Sequence, residues 1–144
     1  MKAPEQNGDG SRKIQMSVEL REPNPVVRFV VRGLVSPKEG GKALLDLYSE
    51  HPRAPYYDRL FDLTGYETGL DPENLARVAT AYRDLNTDPS FPCRTAIVTH
   101  DPNFGLWARS MDFQFHGRRH CTFATVEEAE RWLAVPLGER AAAA

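Results

Sequence analysis

One junction recurs along the chain. Ser36-Pro37, Asp71-Pro72 and Asp101-Pro102 each set a side-chain oxygen acceptor and a proline where an apolar run gives way to a helical pattern; Thr125 supplies the acceptor alone. The acceptor takes a free N–H of the first helical turn, and proline is tolerated there because its missing N–H had no helical partner. Strand, cap and helix in repeated alternation predict an α/β domain with a mainly parallel sheet.

The first half of the chain opens with a hairpin. Ile14, Met16, Val18 and Leu20 alternate with Gln15, Ser17, Glu19 and Arg21, the pattern of a half-buried strand. The turn segment 22–25 follows, and then Val27, Phe29 and Val31 alternate with Arg28 and Arg32. Closing a hairpin at Arg21 and Val26 sets Glu19 opposite Arg28 and Val18 opposite Phe29, so charge and apolarity segregate by face. This predicts an antiparallel pair at one end of the sheet. Ser36 and Glu39 spell a capping box for a first helix with Leu44, Leu45 and Tyr48 inward and Pro52 beyond its end. Gly40 and Gly41 weaken its first turns.

Three further units follow. A third strand is predicted over 57–64, a loop over 65–69, and a second helix from Asp71 with Leu75, Val78, Ala79, Tyr82 and Leu85 at helical spacing. The nearly continuous apolar run 94–99 reads as a central buried strand. A third helix after Asp101-Pro102 draws its buried side from Phe104, Trp107, Ala108, Met111 and Phe115. A fifth strand over 120–124 leads to a second capping box, Thr125 with Glu128, and a fourth helix with Ala129, Trp132 and Leu133 inward. Residues 1–13 and 136–144 are expected to be flexible tails around one domain at 14–135.

A net charge of −2 gives no general attraction to nucleic acid, and no apolar run approaches a membrane span. The N-terminus lacks the apolar stretch of a secretory signal, so a cytoplasmic location is expected. Cys93 and Cys121 do not make a disulfide framework.

The order β-β-α-β-α-β-α-β-α, with YDRLFDLTG at 57–65, a helix from Asp71, RTAIV at 94–98 and TFATVEEAERWL at 122–133, resembles the SpoIIAA-like (STAS-related) family over residues 14–133. The resemblance implies a mainly parallel five-stranded sheet with an N-terminal antiparallel hairpin and about four helices. It also implies a non-enzymatic domain that binds a protein partner or a small apolar ligand. In the phosphorylation-controlled members a Ser or Thr follows an Asp at the start of the helix after this strand. Here Asp71 is followed by Pro72, which has no hydroxyl, so no switch is expected at this helix start; Thr64 and Thr68 occupy different positions.

Ligands of parallel sheets gather outside the carboxyl ends of the strands. Candidate binding residues at that edge are Thr64, Tyr66, Glu67, Thr68, Thr99, His100 and Asn103, joined by Phe104 and Trp107 of the third helix. Neither GxGxxG nor GxxxxGK[ST] is present, so no nucleotide and no other cofactor is expected. His100-Asp101 is the nearest approach to an acid–base pair, and a small enzyme using His100 is the alternative function; without a nucleophile and its partner, His100 reads as a loop residue beside a cap. Asp62 reads as a structural carboxylate satisfied by backbone N–H groups or Arg59.

Cys93, His116, His120 and Cys121 offer a zinc-like donor set, but Cys121 and His120 should point to opposite faces of their strand, so no metal is expected. Arg109, Arg118 and Arg119 with His116 and His120 read as a solvated basic rim. Leu106 and Phe113 fall off the main stripe of the third helix, beside Phe104, Trp107, Phe115, Phe123 and Trp132. That surplus of apolar surface allows a partner contact, and a purely structural homodimer formed through the exposed hairpin or a helix face is a further alternative.

Overall fold

A computed structural model describes residues 13–22, 24–66, 71–85, 93–115 and 118–136. Five strands lie side by side in chain order: β1 (Ile14–Glu19), β2 (Val26–Gly33), β3 (Asp58–Tyr66), β4 (Cys93–Val98) and β5 (Arg118–Phe123). β1 pairs antiparallel with β2, and the remaining pairs are parallel. The helices are α1 (Pro37–Glu50), α2 (Pro72–Leu85), α3 (Phe104–Gln114) and α4 (Val126–Ala134), with a short 3-10 turn at Ala54–Tyr56 before β3.

Right-handed crossovers combined with a strand order that never reverses put α1, α2 and α3 on one face. The main core lies there, between Val27, Phe29 and Val31 of β2, Ile97 of β4, and Leu44, Tyr48, Val78, Tyr82, Phe104 and Met111 of the helices. α4 turns back over the other face, where Ala129 and Leu133 meet Val26, Leu60, Ala96 and Val98. β4 is buried along its whole length because both layers cover it. The expected α/β architecture is the observed one.

Both capping boxes form: Ser36 with Glu39 and Thr125 with Glu128 each exchange the two reciprocal hydrogen bonds. The Asp101 junction differs from expectation. Its carboxylate accepts the Asn103 N–H at 2.9 Å in a turn, and α3 starts only at Phe104. β5 begins at Arg118, two residues earlier than its apolar pattern shows.

The hairpin register is corrected by two residues. Glu19 faces Val26 and Val18 faces Val27, while Phe29 faces Met16. The connection is wider than a closure at Arg21 and Val26 allows, and Pro25, in that connection, accepts the Asp58 N–H through its carbonyl. A shift of two preserves every side chain's face, so the apolar pattern is blind to it. Arg28 still reaches Glu19 diagonally, at 2.9 Å.

β3 runs on through Gly65 and Tyr66, where a loop was expected. Its pairing with β2 slips, Val30 facing Asp62 and Arg32 facing Gly65, so one extra residue bulges out of β3. Asp62 holds the bulge by accepting from Thr64 N at 3.1 Å and Thr64 Oγ1 at 2.7 Å. Arg59 is not its partner. The bulge changes the parity of the strand: Arg59, Phe61 and Leu63 share a face with Tyr66, which strict alternation would have turned to the other side.

Candidate functional site

Under the three-helix layer lies a cavity of about 140 Å³. It reaches the strand carboxyl ends at Tyr66, Pro37 and Asp71 and runs inward past Phe61, Leu44 and Val78 to Arg59, Phe115 and His120. α1 and α2 cross closely above it. A Cβ on Gly41 would stand 2.6 Å from Val78 Cγ2, and Asn74 Nδ2 donates to the Pro37 carbonyl at 2.7 Å. Gly41 is therefore a contact residue rather than only a weak helix former. Burial raises the Tyr66 hydroxyl above its ordinary pKa.

The inner end is polar in an otherwise apolar layer. Arg59 is 1% exposed, and its guanidinium carbon lies 5.3–6.0 Å from the ring centroids of Phe61, Phe115, Tyr82 and Tyr48. Its Nε donates to Thr95 Oγ1 at 3.1 Å and its Nη1 to the Tyr48 hydroxyl. Burial, and then the nearby Arg118 charge, lower its pKa.

Arg118 is not on a solvated rim. It is 3% exposed and donates to the carbonyls of Arg94, Pro55 and Tyr57 at 3.0, 2.8 and 2.7 Å, clamping the 3-10 turn to the sheet. The strand pairing Cys93↔Arg118 carries it inside, which its position before an apolar run does not reveal.

The His120 ring packs against Phe115, centroids 5.6 Å apart and planes tilted by 54°, and its Nδ1 lies 3.0 Å from Asp112 Oδ1. Desolvation, with repulsion from Arg59 and Arg118, outweighs the Asp112 hydrogen bond and lowers its pKa to about 4. His120 and Cys93 face the helix layer, while Cys121 pairs with Ala96 on the α4 side. His116 lies outside the described residues. Among the described residues no cluster of three or more metal-binding side chains occurs.

The candidate binding residues divide between two places. Tyr66 and Phe104 line the cavity. Thr99 and His100 instead border an open polar depression with Asp101, Gly105, Thr122 and Phe123 at the ends of β4 and β5. There Thr99 Oγ1 accepts from the Asp101 N–H, and His100 is exposed. Trp107 packs against the main core, Asn103 is exposed at the start of α3, and Thr64 is exposed in the bulge. Glu67 and Thr68 lie outside the described residues. Because the strand order never reverses, the sheet has no switch-point crevice to gather these loops into one site.

Arg59 was missed by motif reading. The available signal was its period: in YDRLFDL a cation occupies the same face as Phe61 and Leu63.

No protein-family model matches the chain, and no curated protein does. Among solved structures it is similar to an uncharacterised protein of the DUF3478 family with a SpoIIAA-like fold, from Shewanella loihica PV-4. The TM-score is 0.57 at 20% identity, over 88% of this chain and 99% of that one. The fold is SpoIIAA-like.

Proposed function

We propose that this SpoIIAA-like domain is a non-catalytic module that binds a small, largely apolar ligand in the cavity beneath α1, α2 and α3. The cavity carries the reading. Protein interiors pack like organic crystals, and an unfilled void costs stability in proportion to its volume. This one opens at the strand carboxyl ends, is walled mostly by apolar side chains, and at about 140 Å³ has the size of a small organic molecule. The exposed position of His100 and the use of Thr99 in a turn support a role in recognition rather than bond-making. Pro72 at the start of α2 supports recognition without a phosphorylation switch there.

Native mass spectrometry of the purified protein, repeated on Leu75→Trp, tests the reading. The expected result is a bound organic molecule in the wild type, absent from a folded Leu75→Trp protein that melts at a higher temperature. Toluene and other small apolar probes that fail to bind the emptied wild type would sink it.

Contact with a protein partner is a second reading. It is favoured by Leu106 and Phe113, which are 70% and 83% exposed and lie two turns apart on α3. It predicts that Phe113→Ser weakens partner or self-association and leaves the cavity's probe affinity unchanged.

A further inference from the structure

We propose that the inner end of the cavity is a carboxylate site, where Arg59 receives the acid group of a ligand whose apolar body fills the space between Phe61, Leu44 and Val78. The inference rests on the cavity being a ligand site, and it adds the ligand's chemical class.

The argument starts from charge. Buried cations are normally paired, because taking an ion out of water costs several kcal/mol that only a counter-charge and hydrogen bonds return. Besides Arg59, the buried acidic or basic side chains among the described residues are Asp58, Arg94, His120 and Arg118, and each has partners. Asp58 is taken by Arg94 on the α4 side of the sheet, with Nε donating to Oδ2 at 2.9 Å. Asp112 holds His120 through its backbone N–H and its ring. Arg118 donates through its two Nη groups to three carbonyls and to Thr95 Oγ1, while its Nε has no partner among the described residues. Arg59 lines the inner end of the cavity, pairs with no carboxylate among the described residues (Asp71 lies at the mouth), and hydrogen-bonds through Nε and Nη1. The helix layer therefore contains two buried guanidiniums and no described acid paired with either.

Its aromatic neighbours do not remove the need for an anion. Ring faces attract a cation but leave the guanidinium's N–H groups without acceptors. Thr95 accepts from Nε and Tyr48 from Nη1. A carboxylate offers two acceptor oxygens, which suits the remaining Nη donors. A phosphate would bring more charged oxygens than these donors satisfy, into walls formed by Phe29, Phe61 and Phe115. Size narrows the class. A cavity of about 150 Å³ accommodates benzene, so a space of about 140 Å³ fits an aromatic or short-chain carboxylic acid.

Calorimetric titration and thermal melting of the full chain at pH 7 test this with benzoate, its neutral isostere benzamide, and toluene. The expected result is that benzoate binds at least tenfold more tightly than benzamide and raises Tm. In Arg59→Met that preference is lost while toluene still binds. The wild-type comparison stands by itself if Arg59→Met does not fold. Equal affinity for benzoate and benzamide, or a benzoate preference that survives in a folded Arg59→Met, overturns the carboxylate site. Toluene binding without benzoate preference would overturn it and leave the apolar cavity reading intact. Failure of all three probes would remove both.

Discussion

His120 illustrates how environment sets the behaviour of a single residue. From α3 it faces Asp112 and Phe115, from β3 Arg59, and on its own strand Arg118. The ring is held neutral, with its pKa near 4 instead of 6.5. The unfolded chain therefore binds a proton more readily than the native one. Stability from this residue is complete above about pH 6.5 and is lost as the pH falls toward 4. The loss is roughly 3 kcal/mol. Urea unfolding at pH 7, 5 and 4 should show it, and His120→Gln should flatten the same interval. Of the residues that suggest zinc in a linear reading, Cys121 is turned by strand alternation away from His120 and Cys93. Arg118 shows the converse: a residue that composition places in water is drawn inside because three carbonyls there accept hydrogen bonds from its N–H groups.

At the scale of elements, adjacent glycines have opposite roles. A Cβ on Gly40 meets nothing within 4 Å, so Gly40→Ala should stabilise α1 by about 0.5–1 kcal/mol through lower unfolded-state entropy. A Cβ on Gly41 collides with Val78, so Gly41→Ala should instead lower Tm and narrow the cavity. Melting the two variants side by side separates propensity from packing. The elements themselves were legible, because caps, turn residues and apolar periods are written within a few residues of each other. Ser36 with Glu39 and Thr125 with Glu128 were read correctly for that reason. The bulge at 63–64 was not legible, since it depends on how β3 meets β2. Yet it decides that Tyr66 joins Phe61 and Leu63 along the cavity.

At the scale of the molecule, polar groups tie the two layers to the sheet. Asp58 of β3 accepts from the backbone and side chain of Arg94 in β4, and Arg94 also reaches the carbonyl of Val135 beyond α4. Asp58→Ala would leave a buried guanidinium without its counter-charge and should cost about 3–5 kcal/mol in urea unfolding. Arg94→Met added to it should restore part of the loss, because the desolvated charge is then gone. On the same side Glu130 of α4 pairs with Arg21 and Arg28, clamping the hairpin. Burial opposes ionisation of Glu130, but the two arginines outweigh it and lower its pKa.

The order of strands and helices, most inward helix positions and the antiparallel start follow from local sequence, because each depends on interactions spanning a few residues. Leu85, expected inward, is exposed at the end of α2, and Leu47 of α1, not expected inward, is buried. Hairpin register, the bulge, the burial of Arg59 and Arg118, and the cavity were decided only when distant segments packed. Whether a charge is solvated or enclosed, and whether two apolar faces leave space between them, depends on neighbours far away in the chain. Local pattern carries no record of those neighbours.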